Sequence, residues 1–467
     1  MTIADRLVRG VRWLRKLAAR TRPVDHETEA ALRRRWEELP EAVRTPAQLL
    51  GRRSSGCEGT HGVFPRCDLA CTPCYHAREA NRVRTDGAHT VHHIDAQMAF
   101  LNQVRGTGQH AQLIGGEVTL LGPDDHAAAL LTMQRHGRKP MSMTHGDFEY
   151  EYLERLATAP DGTRRFDFLR FAGHFDSLML GRRGITRPCS EAELHPYRQR
   201  FVEHFERLRR EHGVRFDLAH NMTVTPRNLD QVAEVVRTCA QMKFGMLSFQ
   251  PAAYVGNPTR WREDFHAVSV DAVWREIERG IGARVPWQHL QMGDPRCNRS
   301  CHGVIAGGRW TPVLEDTDPR DLRARDLFLE SFGSMDFDRR PWIVAVATAR
   351  VIARHPRVIP AALGWATRLT RRAGVLRLLC GRPRALTFVV HAFMDAKVVR
   401  PAWEAMQHGE LAADADVRAA QERLQACSYA MAHPEENRLV PACVQHSVLD
   451  PQENARLGRL LPLHPTA

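Results

Sequence analysis

Lysine is nearly absent from this chain. Only Lys16, Lys139, Lys243 and Lys397 occur in 467 residues, so arginine supplies almost all the positive charge behind a net +12. That bias reads as the mark of GC-rich coding, which weakens any case for nucleic acid. An RNA-binding module would interleave basic and aromatic residues in a stripe, and none is seen. No run of 18 apolar residues occurs, which excludes a spanning helix of ordinary length. No secretory signal pattern, internal repeat or long low-complexity segment is found. Eleven cysteines in a chain this long are too sparse for a disulfide scaffold and suit a reducing cytoplasm.

Three of those cysteines are grouped. Cys67, Cys71 and Cys74 fall in CDLACTPCY with the spacing Cys-x3-Cys-x2-Cys, and no fourth cysteine follows closely. Iron–sulfur clusters are held by thiolates, usually four. Three thiolates at this spacing can hold three irons of a 4Fe–4S cluster and leave the fourth iron open. An open iron points to catalysis rather than electron storage. The competing reading is zinc, but a structural zinc site needs a matched second pair, and the next cysteines are distant. About 40 residues later, residues 112–117 read as a short apolar strand ending in Gly115, Gly116 and Glu117. Glycines let a backbone approach a cofactor closely, and a carboxylate can pair with an ammonium group.

The triplet, the aromatic Tyr75 after it and the Gly-Gly-Glu strand end together resemble the radical SAM superfamily. The resemblance covers about residues 57–255. It implies that the open iron binds the amino and carboxylate groups of S-adenosylmethionine (SAM). Reductive cleavage would then give a 5′-deoxyadenosyl radical that abstracts hydrogen from a substrate carbon. It implies a SAM-binding role for Tyr75, Gly115, Gly116 and Glu117, with Glu117 on the SAM amino group. It also implies an electron donor such as flavodoxin or ferredoxin.

The middle of the chain alternates strand-like and helix-like segments, which argues for a parallel α/β fold. Strands are expected at 60–64, 112–114, 140–144, 166–172, 214–224 and 245–250. Helices are expected near 94–104, 124–136, 148–157, 191–212 and 228–242. Six such units make a partial (β/α)6 TIM-like barrel. The cluster loop and Gly-Gly-Glu both fall at its C-terminal mouth, where α/β barrels place their chemistry. His145 and His174 end the third and fourth strands, Asp176 follows, and Asn221 lies in the fifth. His145, Asp176 and Asn221 are expected at the cofactor, with a structural hydrogen-bonding role as the alternative. The expected organisation is a basic N-terminal helical segment over 1–50, the barrel over 51–260, and a post-barrel region over 261–335. A largely helical, cysteine-containing C-terminal region follows over 336–467.

Cys297 and Cys301 follow the barrel, and Cys427 and Cys443 flank a short polar turn across which they could face one another. With Cys57, ten residues before the triplet, they point to an auxiliary iron–sulfur cluster. A looser resemblance, over about 290–450, is to radical SAM proteins around the archaeal tetraether lipid synthases. It rests on DPRCNRSCHG, on HAFMDA at 391–396, and on the late cysteine hairpin ending in Pro-x-Cys. It implies Cys297, Cys427 and Cys443 as auxiliary ligands, with Cys57 or Cys301 as the fourth. Those synthases begin with a rubredoxin-like cysteine quartet; this chain has an arginine-rich segment there.

That segment, residues 2–22, places Ile3, Leu7, Val11, Leu14 and Ala18 on one helical face among arginines. It suits an anionic membrane surface or the protein's own barrel. Residues 342–380 are apolar, broken by arginines and by Pro356 and Pro360, and suit two or three short helices. These would be a buried bundle or a monotopic membrane-facing surface. The expected function is a radical SAM enzyme acting on a lipid or other hydrophobic molecule, cytoplasmic or peripheral to the inner membrane face. The alternatives are a radical SAM peptide maturase and, from another class, a non-catalytic iron–sulfur or zinc protein.

Overall fold

The computed structural model describes residues 21–76, 78–256, 267–337 and 339–464. The helix expected over 2–22 falls almost wholly outside them. In chain order the first strands are β1 (Cys57–Gly59), β2 (Ala70–Cys71), β3 (His110–Leu113) and β4 (Lys139–Thr144). Next come β5 (Phe168–His174), β6 (Met179–Leu180), β7 (Arg215–Val224) and β8 (Met246–Pro251). The last are β9 (Asn298–Ala306), β10 (Arg309–Pro312), β11 (Arg384–His391), β12 (Tyr429–His433) and β13 (Arg438–Pro441).

β1, β3, β4, β5, β7 and β8 pair in parallel in that order. Helices such as Gly87–Arg105, Pro123–Arg135 and His195–His212 cross between them. Local signals set the helix ends. Asp86 caps the first by accepting from the His89 amide, and Gly213 ends the third at φ 68°. The sheet is open and curled into a half-barrel, compatible with a partial TIM-like barrel. Side chains alternate along each strand. On β5, β7 and β8 one face carries Phe171, Met222 and Phe249 into the main core against Phe201 and Phe205 of the helix His195–His212. The other face carries His174, Asn221 and Ser248 into a cavity.

Residues beyond the parallel strands join the same sheet. β11 adds in parallel to β8, and β9 and β10 follow antiparallel. At the far edge β12 adds in parallel to β1 and β13 pairs back on it. The C-terminal third, though largely helical, thus also supplies β11, β12 and β13. An open half-barrel has two edges with unpaired backbone groups, and the late strands cover both.

Two expectations need correction. The first strand is at 57–59, not 60–64. Thr60 already turns, its hydroxyl bridging the Ile114 backbone at 2.8 and 2.9 Å, and Val63 and Phe64 are buried as loop residues. Residues 342–380 do form helices, Pro341–Arg354, Val358–Ala373 and Val375–Cys380, but not a buried bundle. Only Ala347, Val351, Val358 and Ala373 of them are buried.

Candidate functional site

One cavity of about 350 Å³ occupies the inside of the half-barrel. Cys67, Cys71 and Cys74 line it at the carboxyl end of the strands. β2 within their loop pairs antiparallel with β6, the Cys67 amide donates to Asn81 Oδ1 at 3.0 Å, and the Thr72 amide donates to the Leu178 carbonyl at 3.2 Å. The Leu69 amide donates to Cys67 Sγ at 3.4 Å, so the loop is built around a sulfur acceptor. Burial pushes the Cys67 thiol up to about 12.

Gly115 and Gly116 line the same cavity. Their need for glycine comes from the opposite side. A Cβ on Gly116 would sit 1.9 Å from the Arg66 carbonyl oxygen, and one on Gly115 would sit 2.5 Å from the Phe64 ring. The strand end and the cluster loop are thus in direct backbone contact, sealed by Glu117 N–H to the Arg66 carbonyl at 2.8 Å. Tyr75 donates its hydroxyl to the Gly115 carbonyl at 3.2 Å, and His76 Nε2 reaches the same oxygen at 3.0 Å.

Glu117 does not face the cavity. It is buried, and its Oε1 accepts from Thr119 N at 3.0 Å, Thr119 Oγ1 at 2.7 Å and Thr144 Oγ1 at 2.6 Å. Its Oε2 accepts from His145 N at 2.8 Å. The carboxylate ties the end of β3 to the end of β4 and is already saturated. His145 lines the cavity but is also engaged. Its Nδ1 accepts the Asp147 amide at 3.0 Å, which leaves the proton on Nε2, 2.8 Å from Asp68 Oδ1.

His174, Asn221 and Ser248 form a row across the sheet, since His174 pairs with Asn221 and Asn221 with Ser248 in register. Asp176 Oδ2 lies 2.6 Å from His174 Nε2 and accepts the Thr223 amide at 3.0 Å. Burial alone would raise the Asp176 pKa; His174 and these amides outweigh it and hold it low. Ser248 Oγ is buried without a protein partner. A buried hydroxyl left unpaired inside a cavity is available to a ligand. Ser248 was missed from sequence, as were Met141, Met143 and Met246, which give the cavity a soft apolar wall. Alternation along the strands could have shown that they share a face with His174 and Asn221.

A second group of cysteines lines the cavity: Cys57, Cys297, Cys427 and Cys443. Cys427 and Cys443 stand before β12 and after β13, at the base of one hairpin. Cys297 precedes β9, next to the outer strand at the other end of the sheet, and Arg423 donates to its sulfur at 3.0 Å. Burial pushes the Cys297 thiol up to about 11, with Arg423 opposing it. Cys57 starts β1, with its amide on the Ser428 carbonyl at 2.7 Å, and burial pushes its thiol up to about 11. Cys301 is not with them. It is wholly buried in the main core on β9, because it lies three residues along the strand from the cavity-lining Asn298 and so shares the packed face with Ile305. Its electrostatic neighbours are Glu315 and Asp316, not cysteines.

The donor chemistry is soft sulfur, which suits iron–sulfur clusters or zinc. A tetrahedral zinc at about 2.3 Å from each sulfur needs sulfurs about 3.8 Å apart. Among the described residues, the groups whose ligand atoms all lie within 4.8 Å are His61–His433–Glu453, Cys67–Asp68–His145 and Glu154–Glu211–His212. Neither cysteine set is among them, so both are more open than one zinc ion would need, and a larger inorganic group fits them better.

No protein-family model matches the chain, and no curated protein does. Among solved structures, one described as hexahistidine-tagged anSMEcpe with bound AdoMet is similar at a TM-score of 0.27 and 15% identity. The match covers 41% of this chain and 50% of that one. This chain thus spans half the length of that structure, and so slight a likeness carries no argument.

Proposed function

We propose that this chain is a radical SAM enzyme. Cys67, Cys71 and Cys74 hold a 4Fe–4S cluster with one open iron. Cys57, Cys297, Cys427 and Cys443 hold an auxiliary iron–sulfur cluster. The observation that carries the reading is convergence: seven cysteines from separated parts of the chain line a single cavity with the Gly115–Gly116 backbone. When bound, the cluster and SAM supply one-electron chemistry: reductive cleavage of the sulfonium and removal of hydrogen from a substrate carbon.

The chain's own residues do the rest. Tyr75 and His76 hold the Gly115 carbonyl, and with it the glycine backbone, at a set position beside the cluster loop. Asn221 and Ser248 offer amide and hydroxyl groups to the polar parts of SAM. Asp176 orients His174 toward the cavity. Met141, Met143, Met246 and Phe393 exclude water and favour an apolar partner. Such a lining suits a lipid or other hydrophobic substrate. The reading adds an electron donor such as flavodoxin or ferredoxin and a cytoplasmic protein that touches the inner face of the membrane. A peptide substrate added as a strand would need a free sheet edge. The outer strands are β10 and β13, both of four residues and both ending in proline, which disfavours strand addition.

The test is anaerobic reconstitution with iron and sulfide quantification and Mössbauer spectroscopy. About eight irons per chain are expected, four for each cysteine set. Reduction in the presence of SAM should release 5′-deoxyadenosine. Wild-type protein that binds no iron, or that binds iron and leaves SAM intact, would end the proposal.

A further inference from the structure

We propose that the helices Val358–Ala373 and Val375–Cys380 form a docking face for an anionic lipid bilayer. This deepens the membrane contact proposed above and rests on that contact, not on the cluster chemistry.

The first helix is mounted with its polar side inward. Trp365 Nε1 donates to the Val313 carbonyl at 2.8 Å. Arg368 Nε and Arg372 Nη1 reach the two oxygens of the wholly buried Asp321 at 2.7 and 2.6 Å. Residues 365, 368 and 372 lie on one side of a helix, so residues 359 and 363 lie on the other. Ile359 and Leu363 accordingly face outward, and Leu363 is 64% exposed. The short second helix, next in the chain, also exposes Val375, Leu376 and Leu379, the last two at 77% and 76%. None of its residues is buried. An ordinary surface helix buries its apolar stripe. This one does the reverse, and with its successor leaves five large aliphatic side chains exposed: Ile359, Leu363, Val375, Leu376 and Leu379.

The charge around the patch chooses the occupant. Between Asp338 and Asp395 the chain has no aspartate or glutamate, while residues 341–380 hold seven arginines. Arg368 and Arg372 are used on Asp321; Arg371 is exposed on the same helix as Leu363, and Arg377 directly follows Leu376 and is exposed. Projecting aliphatic side chains rimmed by arginine fit the boundary between anionic headgroups and acyl chains. The same face on a second copy would bring arginine against arginine. No helix of the described residues is long and apolar enough to cross a membrane.

Position in the fold adds a consequence. Gly381, just after these helices, contacts Gly307 in the β9–β10 turn, at the start of β11. β11 is eight residues long, which spans about 26 Å, and it ends at His391 in the cavity wall. At that far end Gly256, beyond β8, packs on Tyr75 of the cluster loop. The helices therefore join the sheet at the end of β11 remote from the cluster loop.

The test is flotation of the full-length protein with vesicles of phosphatidylcholine alone or mixed with phosphatidylglycerol. A companion variant carries Leu363→Glu, Leu376→Glu and Leu379→Glu. Wild type should bind the phosphatidylglycerol vesicles, more weakly at high salt, and the variant should lose about a hundredfold in affinity. Failure of wild type to bind, or equal binding by the variant, would overturn the proposal; the second outcome would move any contact to another part of the chain. Light scattering supplies a further check: a wild-type dimer that the variant converts to monomer would assign the face to a second copy instead. Iron content and vesicle-free SAM cleavage should be the same in both proteins. Their absence in wild type would remove the proposed chemistry and leave the docking result standing.

Discussion

Replacing Glu117 with alanine tests whether this carboxylate is a cofactor ligand or a clasp between strands. The sequence pattern assigns it to the SAM amino group, whereas the structure gives its oxygens four donors: two from Thr119, one from Thr144 and one from the His145 amide. All are buried or half-buried, so removing the acceptor leaves donors unsatisfied in a dry place. Hydrogen bonds to a charged group contribute about 1.5–3 kcal/mol each, but such losses are not additive. A buried neutral donor left unsatisfied costs about 1–3 kcal/mol, and with several overlapping losses Glu117→Ala is expected to destabilise by about 2–5 kcal/mol. Glu117→Gln keeps the shape and one acceptor oxygen but turns an amide group toward donors, for a loss of about 1–3 kcal/mol. The assay is urea unfolding followed by circular dichroism, paired with anaerobic calorimetry of SAM binding to reconstituted protein. The Gln variant should bind SAM within a few-fold of wild type while unfolding earlier. An Ala variant with unchanged unfolding and lost SAM binding would refute the clasp and return the carboxylate to the cofactor.

Replacing Cys67, Cys71 and Cys74 together with alanine should remove about four irons per chain and abolish SAM cleavage, read by iron assay and chromatography; cleavage that survives would unseat the triplet. Cys57→Ser should lower iron content in that triple-alanine background, whereas Cys301→Ser should leave iron unchanged and instead destabilise the core by about 1–2 kcal/mol; the reverse pattern would exchange their roles. His126 is buried between Ser142 Oγ at 2.8 Å and the Tyr152 hydroxyl at 3.0 Å, and burial pushes its pKa from 6.5 down to about 3. The unfolded chain takes up a proton there before the folded one does, so its contribution is fully present above about pH 6.5. It is lost as pH falls toward 3, at up to about 1.4 kcal/mol per pH unit. The urea midpoint of His126→Asn should fall less steeply between pH 6 and pH 4 than that of wild type, and an unchanged slope would show that other groups carry the acid sensitivity.

What the sequence determined by itself is local. Cys67, Cys71 and Cys74 are neighbours in the chain, so any loop that joins β1 to the helix Gly87–Arg105 keeps them together. Five of the six parallel strands fall where apolar runs and their alternation put them, because a strand's pattern is written in its own residues. The first was displaced because β1 is only three residues long, too short for a period to show. What the tertiary structure decided depends on partners far away in sequence. Cys57 and Cys301 are alike as letters, yet one opens into the cavity and the other points into the core, a choice set by strand register. Glu117 turns from the cavity because Thr144 and His145 of the neighbouring strand satisfy it first. Ile359 and Leu363 stay exposed because Asp321, on another helix, holds Arg368 and Arg372 and so selects which side of the helix faces in. Hydrophobicity says that a side chain gains by leaving water; only the packed neighbours decide whether there is a place for it to go.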